Sequence, residues 1–447
     1  MRQSRQLRRT AALAALVLFV TAPLSLADEA HRTRLSNGVT VITNSSSWNR
    51  IVAIAVVVEA GGKYDPPKLG GLAALTSELL VEGTQDRSAM ELAELIDMHG
   101  LNIETFANVD FAGFYVLCIE DNFDVALEVA AEILTRPSFQ ETRLLRAQER
   151  ALSRIENDNE NSVDRNHEQL YEVLFEGHPY SRPVAGLPKT IERITRDHVN
   201  EFYTTRYLSE STSVSIVGSF SEKQAIAALE DLLSDYPRGR ATKPAMAAVR
   251  RTEREADDIY MDAPESRLSV GYLMPSAPHK DYAALRVLTT MLGGGAGTRL
   301  HDALGDDGAG LASDVDAFCF CAVEQSAIVV TLATPDPDAA MGIIEAETAR
   351  LRAEPVSDDE LRIARNKLTG SVAVRSQTNL TRALRLSIDY LATGRVDALD
   401  TYLEQVSRVS RDDVLRVARE HLVGRVAAVV RPGRSARSER GTSRTGI

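Results

Sequence analysis

Cysteine is scarce in this 447-residue chain, as are tryptophan, with a single copy, and aromatic residues, at 5%. Cys118, Cys319 and Cys321 form an odd, sparse set, which excludes the disulfide framework of a small secreted domain. Cys319 and Cys321 alternate within Ala317-Phe318-Cys319-Phe320-Cys321, so both face one side of a strand. We read them as buried thiols; neither has a further partner at metal-ligand spacing, which argues against a zinc knuckle. The eight histidines (His31, His99, His167, His178, His198, His279, His301 and His421) are scattered without such spacing either. Basic charge is short: 51 Lys and Arg against 63 Asp and Glu give −12, which argues against a nucleic-acid partner. There is no P-loop, no G-x-S-x-G elbow and no G-x-G-x-x-G after a strand, and the Gly293 to Gly297 run lacks the Lys-Ser/Thr ending of a phosphate cradle. After Ala27 no apolar run is long enough to span a bilayer; Ile51 to Ala60 has the length of one buried strand.

What is present is ordinary globular material, 44% hydrophobic and 26% charged, enough for two or three units with their own cores. Arg2, Arg5, Arg8 and Arg9 precede the apolar stretch Ala11 to Val20, and Ser25-Leu26-Ala27 offers a cleavage site before Asp28. Residues 1–27 therefore read as a signal peptide, and the protein as periplasmic or secreted, with Arg8-Arg9 leaving Sec and twin-arginine export both open. Losing those four arginines takes the formal charge from −12 to −16. The tail, 433–447, mixes Arg, Ser and Gly and reads as disordered.

The chain repeats itself. An apolar strand (Val52 to Val58) leads through Gly61-Gly62 and Pro66-Pro67 to a helical stretch from Leu72 to Leu80. Leu268 to Leu273 leads through Pro275 and Pro278 to another from Ala283 to Leu292. Strand-like alternation follows at Ile103 to Ile119 and at Val315 to Thr331, then a long helix entered by Phe139-Gln140-Glu141 and by Ser357-Asp358-Asp359-Glu360. Ile194-Thr195-Arg196-Asp197-His198-Val199 matches Val409-Ser410-Arg411-Asp412-Asp413-Val414, each a capped helix start that runs on to a Val-rich strand. Offsets of about 210 to 217 residues indicate two duplicated α+β domains, each a mainly antiparallel sheet flanked by helices, arranged as a clamshell. The expected boundaries are 28–236, a linker at 237–258, and 259–432.

Several strings resemble one family. Gly70-Gly71-Leu72-Ala73 and Glu82-Gly83-Thr84 resemble the frame around the inverted zinc motif of the insulinase/pitrilysin peptidases. His178-Pro179-Tyr180-Ser181-Arg182-Pro183 is similar to their HPYGRP segment, and Leu292-Gly293-Gly294-Gly295 with Thr298-Arg299-Leu300 to their LGGGxxSRL segment. Gly310-Leu311-Ala312 resembles the start of GLAYSV. The resemblance implies an H-x-x-E-H helix carrying two zinc ligands and a general base, with a third ligand, Glu, on a second helix.

Those positions are changed. The motif falls on Ala74-Leu75-Thr76-Ser77-Glu78, and the distal ligand near Ser153-Arg154, with Glu149 and Glu156 out of register. The family's Arg/Tyr pair, which steadies the oxyanion, falls at Gly305 or Asp306 and at Ser313. Glu78 and Glu82, at i and i+4, read as two solvated carboxylates and not as a substitute metal site. His178, in a Pro-flanked turn, reads as structural.

We therefore expect a metallopeptidase homologue without zinc ligands or general base, carrying no cofactor, with zinc only in a catalytic partner. The resemblance implies a non-catalytic subunit paired with a zinc-bearing homologue, or a homodimer, and a peptide held in a shared chamber. It would lie along the strand Ile103 to Phe114, at Ile103, Glu104, Thr105 and Phe106, with Gly293, Gly294 and Gly295 facing the chamber. A pure scaffold of the same fold is the alternative, and an active metalloendopeptidase with an atypical site the third reading.

Overall fold

The computed structural model describes residues 30–305 and 308–433. The expected signal peptide, Asp306 and all of the tail but Gly433 lie outside the described residues.

The first sheet comprises β1 (His31–Arg34), β2 (Thr40–Ser45), β3 (Ile51–Val58), β4 (Asn102–Ala107), β5 (Ala112–Ile119) and β6 (Thr212–Gly218), in the order β1-β2-β6-β3-β5-β4. The second comprises β7 (Arg254–Glu255), β8 (Ile259–Met261), β9 (Ser266–Met274), β10 (Ser313–Phe320), β11 (Ser326–Thr334) and β12 (Val426–Pro432). Its order is β10-β11-β9-β12-β7, with β8 also on β12. The two sheets share their central arrangement. β3 lies antiparallel between β5 and β6, as β9 does between β11 and β12, while β2 runs parallel to β6 as β7 and β8 do to β12. The expected pair of α+β domains holds.

The strand expected from Ile103 to Phe114 is a hairpin. Asn108 Oδ1 accepts from the Asp110 and Phe111 amides at 2.9 and 2.8 Å and turns the chain after Ala107. β4 is thus left at the sheet edge, with β5 its one strand neighbour among the described residues. Within the expected linker, Arg254 and Glu255 already pair with β12. The stretch before them folds back on the first domain. Lys243 Nζ lies 2.9 Å from the buried Glu59 carboxylate, and Arg206, stacked 3.5 Å over Tyr64, donates to Thr242 O at 2.6 Å.

Each domain lends a helix to the other. Ser162–Leu174 of the first lies on β9 and β12 of the second, and Asn379–Thr393 of the second lies on β3 and β6 of the first. The receiving faces carry small residues, so the helices sit close. Ala53, Ala55, Ser213 and Ser215 are fully buried on one face, and Ser269 and Ala428 on the other. A Cβ at Gly271 would stand 2.8 Å from Leu174 Cδ2. The polar residues between them are satisfied in the interface. Asn166 Nδ2 donates to Ala428 O at 2.9 Å, Ser387 Oγ lies 3.0 and 2.9 Å from the Ser213 and Ser215 hydroxyls, and Asn379 Nδ2 donates to Ile51 O at 2.7 Å. This exchange packs the two domains against each other.

Candidate functional site

The motif residues sit on the helix Leu72–Leu79, which begins on Gly71 at φ +95°. A side chain there would meet Ile191 Cδ1 at 2.4 Å, so glycine is required twice over. The helix has no cap from its own N-terminal residue. Asp65, which is buried, reaches up instead, its carboxylate accepting from the Gly71 and Ala73 amides at 2.8 Å each. Burial pushes the Asp65 pKa up to about 7, against the pull of those amides.

Facing this helix is Glu141–Glu160, which turns Leu144, Ala147, Ala151 and Ile155 inward at helical spacing. Between the two helices and β4 lies a cleft of about 360 Å³, lined by Ala74, Ser77, Glu78, Thr105, Phe106 and Arg154 among others. Arg154 Nη2 is 2.7 Å from Glu78 Oε2, and Arg150 Nε is 2.7 Å from Glu78 Oε1. Arg150 Nη2 also reaches Glu82 Oε1 at 2.7 Å, and Arg143 Nη1 lies 3.4 Å from Glu82 Oε2. Desolvation pulls the Arg150 pKa down, but the hydrogen bonds and charges of Glu78 and Glu82 outweigh it and leave it raised. Ser77 Oγ is 2.9 Å from both Phe106 O and Gly113 O, so its proton is directed at backbone.

The zinc ion implied by the resemblance does not fit these residues. Its site needs three donors and an open position; here Ala74 has none, Ser77 is spent on the sheet, and both Glu78 oxygens are bound to guanidinium groups. At Ser153-Arg154, where the resemblance would put the distal ligand, Arg154 carries a cation onto Glu78. The reading of Glu78 and Glu82 as solvated is corrected. Both are about one-fifth exposed and held in a ladder by Arg143, Arg150 and Arg154, a cationic stripe that the sequence reading missed. Its signal was there, as Glu-x-x-x-Glu running from the end of one helix into the loop after it and Arg-x-x-x-Arg on the next helix. Ser153, Glu149 and Glu156 are exposed away from the cleft.

Comparison with known families matches residues 40–187 to "Insulinase (Peptidase family M16)" and residues 193–368 to "Peptidase M16 inactive domain". The chain belongs to the insulinase family, M16. An uncharacterized zinc protease of Rickettsia bellii is 22% identical over 387 residues, which are 86% of this chain and 93% of that protein. Among solved structures, a protease from Helicobacter pylori superposes with a TM-score of 0.84 at 18% identity, over 91% of this chain and 100% of the other. A peptidase M16 inactive domain from Pseudomonas fluorescens gives 0.82 at 20%, over 91% and 98%. These structural likenesses establish the fold.

In this M16 chain the His178 turn is structural in detail. His178 is buried, its Nδ1 accepts from the Tyr180 amide at 3.2 Å, and burial lowers its pKa. Tyr180 OH donates to Asp110 Oδ1 at 2.6 Å and accepts from Glu324 N at 3.0 Å. Lys63 Nζ, also buried, joins Asp110 at 2.8 Å and Glu324 at 3.0 Å, while Val323 N donates to Asp110 Oδ2 at 2.9 Å. The HPYSRP segment therefore latches the first domain to the turn between β10 and β11, a role that sequence reasoning missed.

The other expected site residues are dispersed. Thr105 and Phe106 line the motif cleft, whereas Ile103 packs on the first core and Glu104 is exposed. Gly293 and Gly294 line a separate cleft of about 1100 Å³ in the second domain, and Gly295 closes a turn, its carbonyl accepting from Thr298 Oγ1 at 2.7 Å. Ser313, exposed at the start of β10, donates to Glu265 Oε1 at 3.3 Å and is not among the residues lining the motif cleft.

Cys319 and Cys321 are not buried thiols. They form a disulfide, Cys319 half-buried on β10 and Cys321 exposed one residue past its end. Cys118 is the buried free thiol, its pKa pushed up by burial to about 11. Asp281, Glu420 and His421 place potential ligand atoms within 4.8 Å of one another, but Arg416 already lies 2.7 Å from Asp281 Oδ1 and Arg251 Nη2 2.6 Å from His421 Nδ1.

Proposed function

We propose that this M16 homologue is a non-catalytic subunit of a periplasmic peptide-degrading or processing complex, paired with a zinc-bearing homologue. The observation that carries the reading is the Arg154–Glu78 ion pair, which holds a positive charge against the motif helix, at the position the resemblance would give to a third metal ligand. The edge strand β4 beside the cleft supports peptide binding, since strand addition uses backbone groups and survives loss of every catalytic side chain. The relatives named as zinc proteases support the existence of catalytic homologues with which it could pair.

The test is to co-express the full chain with a zinc-bearing M16 homologue from the same genome, isolate the complex and follow peptide turnover. Turnover that rises on adding this chain, and metal only in the partner, supports the reading. A stable complex with unchanged turnover favours a pure scaffold, and peptide cleavage by this chain alone overturns both.

A further inference from the structure

β10 divides its side chains between two environments. On one side Phe318 and Phe320 pack against first-domain rings: Phe318 on His167 at 5.6 Å between centroids, and Phe320 on Tyr171, Phe175 and Tyr180 at 4.8, 5.2 and 5.9 Å. Cys319, on the strand, and Cys321, one residue past its end, line the second-domain cleft of about 1100 Å³, whose wall Phe318 also touches. Cys321 is exposed, and its sulfur lies 3.1 Å from Arg286 Nη1 and 3.2 Å from Tyr282 OH. Cys319 is half-buried, with Met274 Sδ 3.8 Å away. Lys367, Arg375 and Arg385 add positive charge to the lining, against Asp316 and Asp389, and Asp389 is already paired with Arg385.

We propose that Cys319 and Cys321 are a thiol–disulfide exchange site for small anionic thiols and their disulfides. An incoming thiolate attacks Cys321 Sγ, the accessible sulfur. The S–S bond breaks and Cys319 leaves as a thiolate, which takes up a proton from water. A second thiolate attacks the ligand sulfur of the mixed disulfide, releasing the symmetric disulfide and leaving Cys321 as a thiolate between Arg286 and the Tyr282 hydroxyl. Two thiols are oxidised to one disulfide while the protein disulfide is reduced to one thiol and one thiolate; of the two protons given up by the ligands, one ends on Cys319 and the other in water. In reverse, Cys321 opens an anionic disulfide and Cys319 resolves the adduct. The cleft has room for a tripeptide-sized thiol, and the cationic lining selects its charge.

The experiment uses the oxidised full-length protein, with glutathione as the anionic probe and cysteamine as the cationic one. Loss of the Cys319–Cys321 bond is followed by alkylation and mass spectrometry, and rates are expressed per thiolate. Glutathione is expected to react about tenfold faster than cysteamine at low salt, as expected for a charged cleft. Arg286→Gln should erase most of that preference and Arg286→Lys should keep it. With glutathione disulfide, the reduced Cys319→Ser variant should trap an adduct on Cys321, whereas Cys321→Ser should leave Cys319 unmodified. A native disulfide inert to both thiols, equal rates for the two, or trapping on Cys319 would overturn the proposal.

Discussion

Arg154 and Glu78, 76 positions apart on two facing helices, bring guanidinium nitrogen and carboxylate oxygen to 2.7 Å. Because Arg150 binds the second oxygen of the same carboxylate, restoring the motif helix alone leaves two cations facing it. Ala74→His, Ser77→Glu and Glu78→His together should therefore bind no zinc detectable by elemental analysis. Adding Arg154→Glu and Arg150→Ala should give stoichiometric binding. Zinc in the triple variant would show that another residue serves as the third ligand.

The same pair has a modest energetic effect. Glu78→Ala should cost about 1 kcal/mol, because both arginines are roughly half-exposed and rehydrate, and the cost should shrink at high salt. Urea denaturation at two salt concentrations measures it.

The Lys63 latch should behave differently, because it is buried. Lys63→Met leaves the Asp110 carboxylate without its cation and should cost about 3–5 kcal/mol. Lys63→Met with Asp110→Asn should recover part of that loss, and a double-mutant cycle in chemical denaturation reads the coupling directly.

Asp65 gives the stability a pH slope. Its folded pKa, about 7, lies above the ordinary 3.8, so the folded state keeps a proton that the unfolded chain has lost. This contribution is fully present below about pH 4 and is lost as pH rises through about 7, at up to about 1.4 kcal/mol per pH unit. Asp65→Asn should flatten the curve in that window. An unchanged difference between wild type and variant across it would show that the carboxylate is ionised throughout.

Neither half should fold alone. A fragment ending at residue 236 would bare Ala53, Ala55, Ser213 and Ser215 and leave the Ser162–Leu174 helix without its receiving sheet. It should aggregate or lack fixed tertiary structure by near-ultraviolet circular dichroism. The halves co-expressed with a break in 244–250 should assemble and unfold in one transition.

How much of this was legible follows from how local each signal is. The helix at Leu72–Leu79 and the long helix after Gln140 were read from apolar spacing that each segment carries within itself. The distal slot at Ser153-Arg154 was placed by counting along the chain, and of the two it is Arg154 that reaches Glu78. The arginine ladder was missed because each helix was read for what it lacked. The disulfide was missed because the alternation of Cys319 and Cys321 shows a shared side, while whether that side is covered depends on the distant segments that line the cleft beside it. The small residues of β3 and β6 were visible too, but nothing near them in sequence says that a helix 328 residues after Ile51 and 174 after Ser213 will lie there.

That distance sets the order in which the molecule can be completed. Asn379 meets the carbonyl of Ile51 across 328 residues, so a growing chain displays the first sheet long before its cover has been synthesised. The first domain cannot finish packing until nearly nine-tenths of the polypeptide exists. Folding should therefore be slow, dominated by remote contacts, and completed for both domains together.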